Sequence, residues 1–319
     1  MTHALGCRLF QVVIINAAYR MFFQHRTLRP FHLLISLLLL LVVAACKPGL
    51  SPDSGADAVD SPRIISLAPS ITEMIFALEA GDQLVGRSMH CKHPPAAATI
   101  ESVGRIDLPD VEKILLLAPD SVILSGLTPL EVEQRLKKLN LQTLRLEHSG
   151  LDGLRGDIET LAKHLGRQQA GDRLLDYWDA TIAGVQSAVA EKQTTPPRVL
   201  LLYSMNALYS AGKGSFVGDL ISLCGGDNIA KDAISPWPQL NRESVLAANP
   251  EVILLALGDK NRSETDRSEF IAQLQADAYW GHIEAVRNHR IHFIPADWLT
   301  VPGPRTLNAI EAIFSAIHQ

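Results

Sequence analysis

The sequence predicts an α/β protein of two Rossmann-like lobes, each with a parallel central sheet, joined by one long interlobe α-helix. Three observations predict it. Short apolar runs of strand type alternate with helical periods in both halves, as a parallel sheet covered by helices requires. Gln168–Lys192 reads as an unbroken helix of about 25 residues between the halves, near 37 Å long at 1.5 Å per residue. The halves also echo each other. Glu112-Lys-Ile-Leu-Leu-Leu-Ala-Pro119-Asp120 and Glu243-Ser-Val-Leu-Ala-Ala-Asn-Pro250-Glu251 each read as a short helix broken by proline before a buried strand, with the same spacing from glutamate to proline.

In chain order, Leu33–Cys46 (LLISLLLLLVVAAC) comes first, behind Arg26 and Arg29. It has the dimensions of a secretory signal and falls short of the roughly 20 apolar residues of a membrane span. Val43-Ala44-Ala45-Cys46 resembles the bacterial lipobox, whose cysteine is acylated and becomes the new N-terminus. Residues 1–45 are therefore expected to be removed, with 1–20 an over-called start before Met21. Cys46 is the expected lipidation site. Residues 46–62, rich in Pro, Gly, Ser and Asp, read as a flexible tether.

Without residues 1–45 the chain loses four basic side chains and no acidic ones. It keeps 29 − 4 = 25 Lys+Arg against 34 Asp+Glu, a net charge of −9. That balance argues against nucleic acid as a partner. A monomeric body held at a membrane by lipid is expected, in the periplasm or at the cell surface.

Residues 63–166 are expected to form the first lobe. Ile64–Ala68 reads as a buried strand, Ser70-Ile71-Thr72-Glu73 as a capping box opening a helix to Leu78, and Gly81 as its stop. Ser121–Leu124 and Leu141–Leu146 read as strands around a helix at Leu130–Leu139. Helix follows from Asp152, interrupted near Gly166. Residues 167–195 hold the linker helix, ended by Pro196-Pro197, and residues 196–319 the second lobe. There Arg198–Tyr203 is a strand, Gly212-Lys213-Gly214-Ser215 a tight turn with Ser215 as N-cap, and Arg305–His318 a final amphipathic helix.

Motifs for catalysis are scarce: no nucleophile elbow, zinc-protease helix or Walker loop occurs. His90-Cys91-Lys92-His93-Pro94-Pro95 gathers soft and borderline metal ligands, and a metal-dependent enzyme using His90, Cys91 and His93 is one reading. A closed metal site needs four ligands and no partner cluster is evident, so a loop lining a ligand cleft is preferred. Cys91 and Cys224 stand in an oxidising compartment where pairing is open. Trp237, between Pro236 and Pro238, cannot lie inside a helix or central strand, so a rigid loop presents its ring. Tyr209 and Asp297-Trp298 fall at loops after strands, where α/β folds bind ligands.

Arg63–Ala77 (RIISLAPSITEMIFA), Asn249–Leu255 (NPEVILL), Ala285–Ile294 (AVRNHRIHFI) and Pro302-Gly303-Pro304-Arg305 resemble the substrate-binding proteins of ABC importers for cobalamin, haem and siderophores. The resemblance covers essentially all of Pro62–His318. Cys224–Ile229 and Pro236–Glu243 are most similar to the cobalamin-binding members, the Pro-Trp-Pro-Gln segment being the more specific. The resemblance implies a ligand between the lobes, with His93, Tyr209, Trp237, Asp297 and Trp298 around it. It implies no catalytic residue and no resident cofactor, cobalamin or a related corrinoid being transported ligand; haem or a ferric siderophore is the alternative. Glu112 and Glu243 match glutamates that pair with arginines on the two subunits of the importer's permease. Lys92-His93 replaces the family's usual Asp-Tyr, and a tryptophan expected near Arg105 is absent.

Overall fold

The structure is a computed structural model that describes residues 61–147, 150–192, 195–256 and 263–319. The expected signal, Cys46 and the tether up to Asp60 lie outside the described residues. The first lobe comprises β1 (Ile64–Ser66), α1 (Pro69–Ala77), β2 (Leu84–Arg87), α2 (Val111–Leu116), β3 (Ser121–Ser125), α3 (Leu130–Lys138), β4 (Gln142–Leu146) and α4 (Gly150–His164). A single helix, α5 (Gln168–Lys192), leads into the second. That lobe comprises β5 (Arg198–Leu202), α6 (Phe216–Leu223), β6 (Asp227–Asn228), α7 (Arg242–Ala248), β7 (Val252–Leu255), α8 (Glu264–Ala276), α9 (Glu284–Arg287), β8 (Ile291–Phe293), α10 (Ala296–Thr300) and α11 (Thr306–His318).

Both sheets are parallel and share one topology, β2-β1-β3-β4 and β6-β5-β7-β8. The central strands read as unbroken apolar runs because helices cover both faces: all of β3 and β7 is buried. In each sheet the chain goes from a central strand to one edge, then crosses to the other side. That leaves a crevice beyond the carboxyl ends of β1 and β3, and another beyond β5 and β7.

The largest apolar cluster runs through both lobes. It joins Ile71, Met74 and Ile158 to Val217, Ile221 and Ile313, with Trp178 and Val185 of α5 packed into it. The linker is thus part of the core rather than a strap over it, and the lobes cannot swing apart without exposing apolar surface. Gly166 (φ +67°) sits in the left-handed region that lets α4 turn into α5.

Two expectations about the first helix need correction. Ser70-Ile71-Thr72-Glu73 is not a capping box. Proline suits the first position of a helix, and Pro69 starts α1 there, behind an Ala68 whose side chain makes no cap. Glu73 therefore lies a turn inside the helix and is 5% exposed, paired with a distant arginine. The helix closes at Leu78, with Glu79 at φ 57° taking the left-handed position, so Gly81 is not its stop. Cys91 and Cys224, for their part, are free, buried thiols in different lobes. Cys91 Sγ lies 3.2 Å from Ser88 Oγ, and Cys224 Sγ donates to the Ile310 carbonyl at 3.4 Å. Burial raises the Cys91 pKa and pushes the Cys224 thiol up to about 12, which leaves both unreactive.

Candidate ligand cleft

A cleft of about 500 Å³ opens between the lobes, within the roughly 300–1,000 Å³ usual for small-molecule sites. The first lobe contributes the turn from β1 into α1 (Ala68–Ser70), His90, Ile106, the turn after β3 (Ser125–Leu127) and Glu147 after β4. Trp237 and Thr300–Pro302 come from the second. The walls follow the crevice rule, since the loops after both central strands of the first lobe take part.

Each wall is held by backbone hydrogen bonds. Ser88 N–H donates to Ser66 O at 2.9 Å and Met89 N–H to Gly104 O at 2.7 Å, which fixes the segment carrying His90. Arg145 fixes the β3 turn, donating to Ser125 O at 2.8 Å, Thr128 O at 3.0 Å and Glu133 Oε2 at 2.6 Å. Lys137 and Arg145 together hold the Glu133 carboxyl below the usual carboxylate range. At Gly126 a Cβ would stand 2.9 Å from Glu147 Oε2, so a side chain there would displace that carboxylate.

Opposite, Pro236–Leu240 runs antiparallel to Leu208–Gly212. Ser210 N–H donates to Pro238 O at 2.9 Å, Gly212 N–H to Pro236 O at 2.9 Å, and Leu240 N–H to Leu208 O at 3.1 Å. Trp237 lies within this ribbon, between the paired Pro236 and Pro238, 49% exposed, with the Tyr203 ring edge-on to it at 5.9 Å. Burial pushes the Tyr203 hydroxyl up, so that ring remains a neutral support.

Of the residues named from sequence, Trp237 lines the cleft. Tyr209 pairs with Gln239 in the same ribbon, and its ring lies outside the lining. Asp297 is engaged by Arg305, and Trp298 packs against the apolar cluster. His93 is exposed and outside the lining, while His90, three residues earlier, is in it. Cys91 turns inward to Ser88, so the His-Cys-His loop does not converge; among the described residues no group of three or more metal-ligating side chains occurs. A single imidazole, His90, is what the loop offers a ligand.

Sequence reasoning missed Ile106, Ser125, Glu147 and Thr300–Pro302. The repeat could have found Ile106, which precedes Glu112 by six residues as Trp237 precedes Glu243. Isoleucine thus occupies, in the first lobe, the place tryptophan holds in the second.

Glu112 and Glu243 are exposed at equivalent places, each the second residue of its helix. Neither is needed as a cap. Asp110 accepts from Lys113 N–H at 3.1 Å and Asn241 from Ser244 N–H at 2.7 Å.

Two parallel-sheet lobes fixed by one core-embedded helix, with a mostly apolar cleft between them, define a solute-binding protein. The chain belongs to the periplasmic binding protein family, whose profile matches residues 64–298. It is 32% identical over 267 residues to the vitamin B12-binding protein of Salmonella paratyphi A, covering 81% of this chain and 91% of the relative. The crystal structure of the periplasmic vitamin B12 binding protein BtuF of Vibrio cholerae superposes with a TM-score of 0.67 at 30% identity, over 80% of this chain and 96% of that one. The periplasmic heme-binding protein RhuT of Roseiflexus gives 0.66 at 28% identity, over 81% of this chain and 100% of that one. The relatives are binding proteins, and this chain is a periplasmic binding protein rather than an enzyme.

Proposed function

We propose that the chain captures cobalamin or a related corrinoid between its lobes and delivers it to an ABC importer, anchored to a membrane through acylated Cys46. The observation that carries this reading is Trp237, held on a hydrogen-bonded ribbon at one wall of a mostly apolar cleft. A corrinoid is a large flat ring with apolar faces and amide-bearing edges. An indole covers a face, while Ser70, Ser125, Glu147 and Thr300 offer hydrogen bonds to the rim. Lobes that share a core lose little freedom on binding, which favours tight capture of a scarce nutrient. The vitamin B12-binding relatives add weight.

His90 favours haem as the second reading, because an imidazole in the cleft is an axial ligand for iron. Calorimetric titration with cyanocobalamin and with haemin, joined to visible spectra, decides between them. Cyanocobalamin binding with no shift of the haemin band supports the corrinoid; a haemin shift without cobalamin binding overturns it. Cys46→Ser tests the anchor, with loss of detergent-phase partitioning expected. An unacylated wild-type protein from membranes would overturn the anchor alone.

A further inference from the structure

The two halves repeat more than their glutamates. Leu115 and Leu246 each follow the glutamate by three residues, on the same helix face, and each is 43% exposed. The residues just before them, Ile114 and Val245, are fully buried and anchor α2 and α7 to their lobes. A single exposed leucine is ordinary. Two at equivalent places, each beside an equivalent carboxylate, are a pattern.

The neighbouring cations are turned aside in both lobes. Lys113 Nζ pairs with Glu101 at 3.1 Å, and the Arg242 guanidinium lies over the Tyr279 ring at 5.1 Å. Glu112 and Glu243 have no hydrogen bond or ion pair among the described residues. Each lobe thus presents an unneutralised carboxylate with a leucine one helical turn further on. Leu116 widens the apolar spot on the first lobe. Both helices run back against their sheets, so both glutamates lie at the carboxyl ends of the strands, the end on which the cleft opens.

We infer that Leu115 and Leu246 are paired apolar anchors of one docking face, which fits a two-fold related pair of protein subunits, each offering a cation beside an apolar socket. The inference rests on the importer reading above and extends it from charge to packing. A repeated acidic–apolar spot matches a symmetric partner, because each lobe meets the same surface of a different copy. The carboxylates steer and orient the encounter, while the leucines, once desolvated, slow dissociation.

The test uses the full-length protein and the corrinoid importer's intact permease dimer in nanodiscs, with cyanocobalamin titrations run in parallel. Leu115→Ser and Leu246→Ser should each weaken permease binding by about tenfold, and the double variant by about a hundredfold. Cyanocobalamin affinity should stay unchanged. The leucine losses should persist at low and high salt, whereas the loss from Glu112→Ala with Glu243→Ala should be largest at low salt. A double leucine variant that binds like the wild type overturns the anchors and leaves the importer reading standing. A loss confined to one leucine overturns the two-fold arrangement. Wild-type protein that binds cyanocobalamin but no permease overturns the importer reading and the anchors with it.

Discussion

Arg305 donates through Nε to Glu73 Oε2 at 2.8 Å, joining the second lobe to the first across 232 residues of sequence. The same guanidinium pairs with Asp297, so one cation holds two carboxylates, one from each lobe. Glu73 is almost wholly buried, and the guanidinium side chain is 14% exposed. Such a triad contributes little net stability compared with apolar packing, but removing one member leaves charge without compensation. Arg305→Ala should therefore cost about 3–5 kcal/mol by denaturant unfolding. Arg305→Met with Glu73→Gln should recover part of that loss. If Arg305→Ala unfolds at the wild-type midpoint, the triad does not hold the lobes.

The linker and the lobes were legible because their signals are local. Helix α5 has its expected bounds, ended by Pro196-Pro197, and the Glu-to-Pro repeat located α2, α7 and the buried strands after them. Two edge strands were not legible: β6 pairs with β5 through only two residues, and β2 is short and contains Gly86. Glu73 was misread because its partner is remote, while a capping box can be read from four adjacent residues. His90 and His93 differ in direction from the backbone of an irregular loop, and spacing carries no such information.

Trp237→Ala should weaken cyanocobalamin binding by about 1–3 kcal/mol, the worth of an aromatic ring against an apolar face in a desolvated cleft. Ile106→Ala should cost about half as much, since it removes a smaller wall at the equivalent place. Calorimetry on both variants checks the order. Equal affinities for Trp237→Ala and wild type would remove the indole from the site.

Stability should fall on mild acidification. Burial holds His164 below its ordinary 6.5, and it holds His292 there as well, with Arg290 adding to the effect. Their unfolded forms take up protons near pH 6.5, before the folded forms do. The contribution is fully present above about pH 6.5 and is lost as pH falls toward the depressed folded values. Tm measured from about pH 7.5 down to about pH 5 should drop, and His164→Gln with His292→Gln should flatten that slope. His164 also bonds Ser121 Oγ at 2.8 Å, so the variant should start from a lower Tm. An unchanged slope would assign the acid sensitivity to other groups.

His90 and His93 separate by the same logic of position. Only His90 lines the cleft, so His90→Ala should alter ligand binding while His93→Ala leaves it within error of wild type. Cobinamide, a corrinoid without the lower nucleotide, makes the sharper probe because one cobalt face is open to a protein nitrogen. If His90 reaches that face, binding should shift the visible spectrum of cobinamide, a shift that His90→Ala abolishes and His93→Ala keeps. Retention of the shift in His90→Ala, with its loss in His93→Ala, would reverse the two roles.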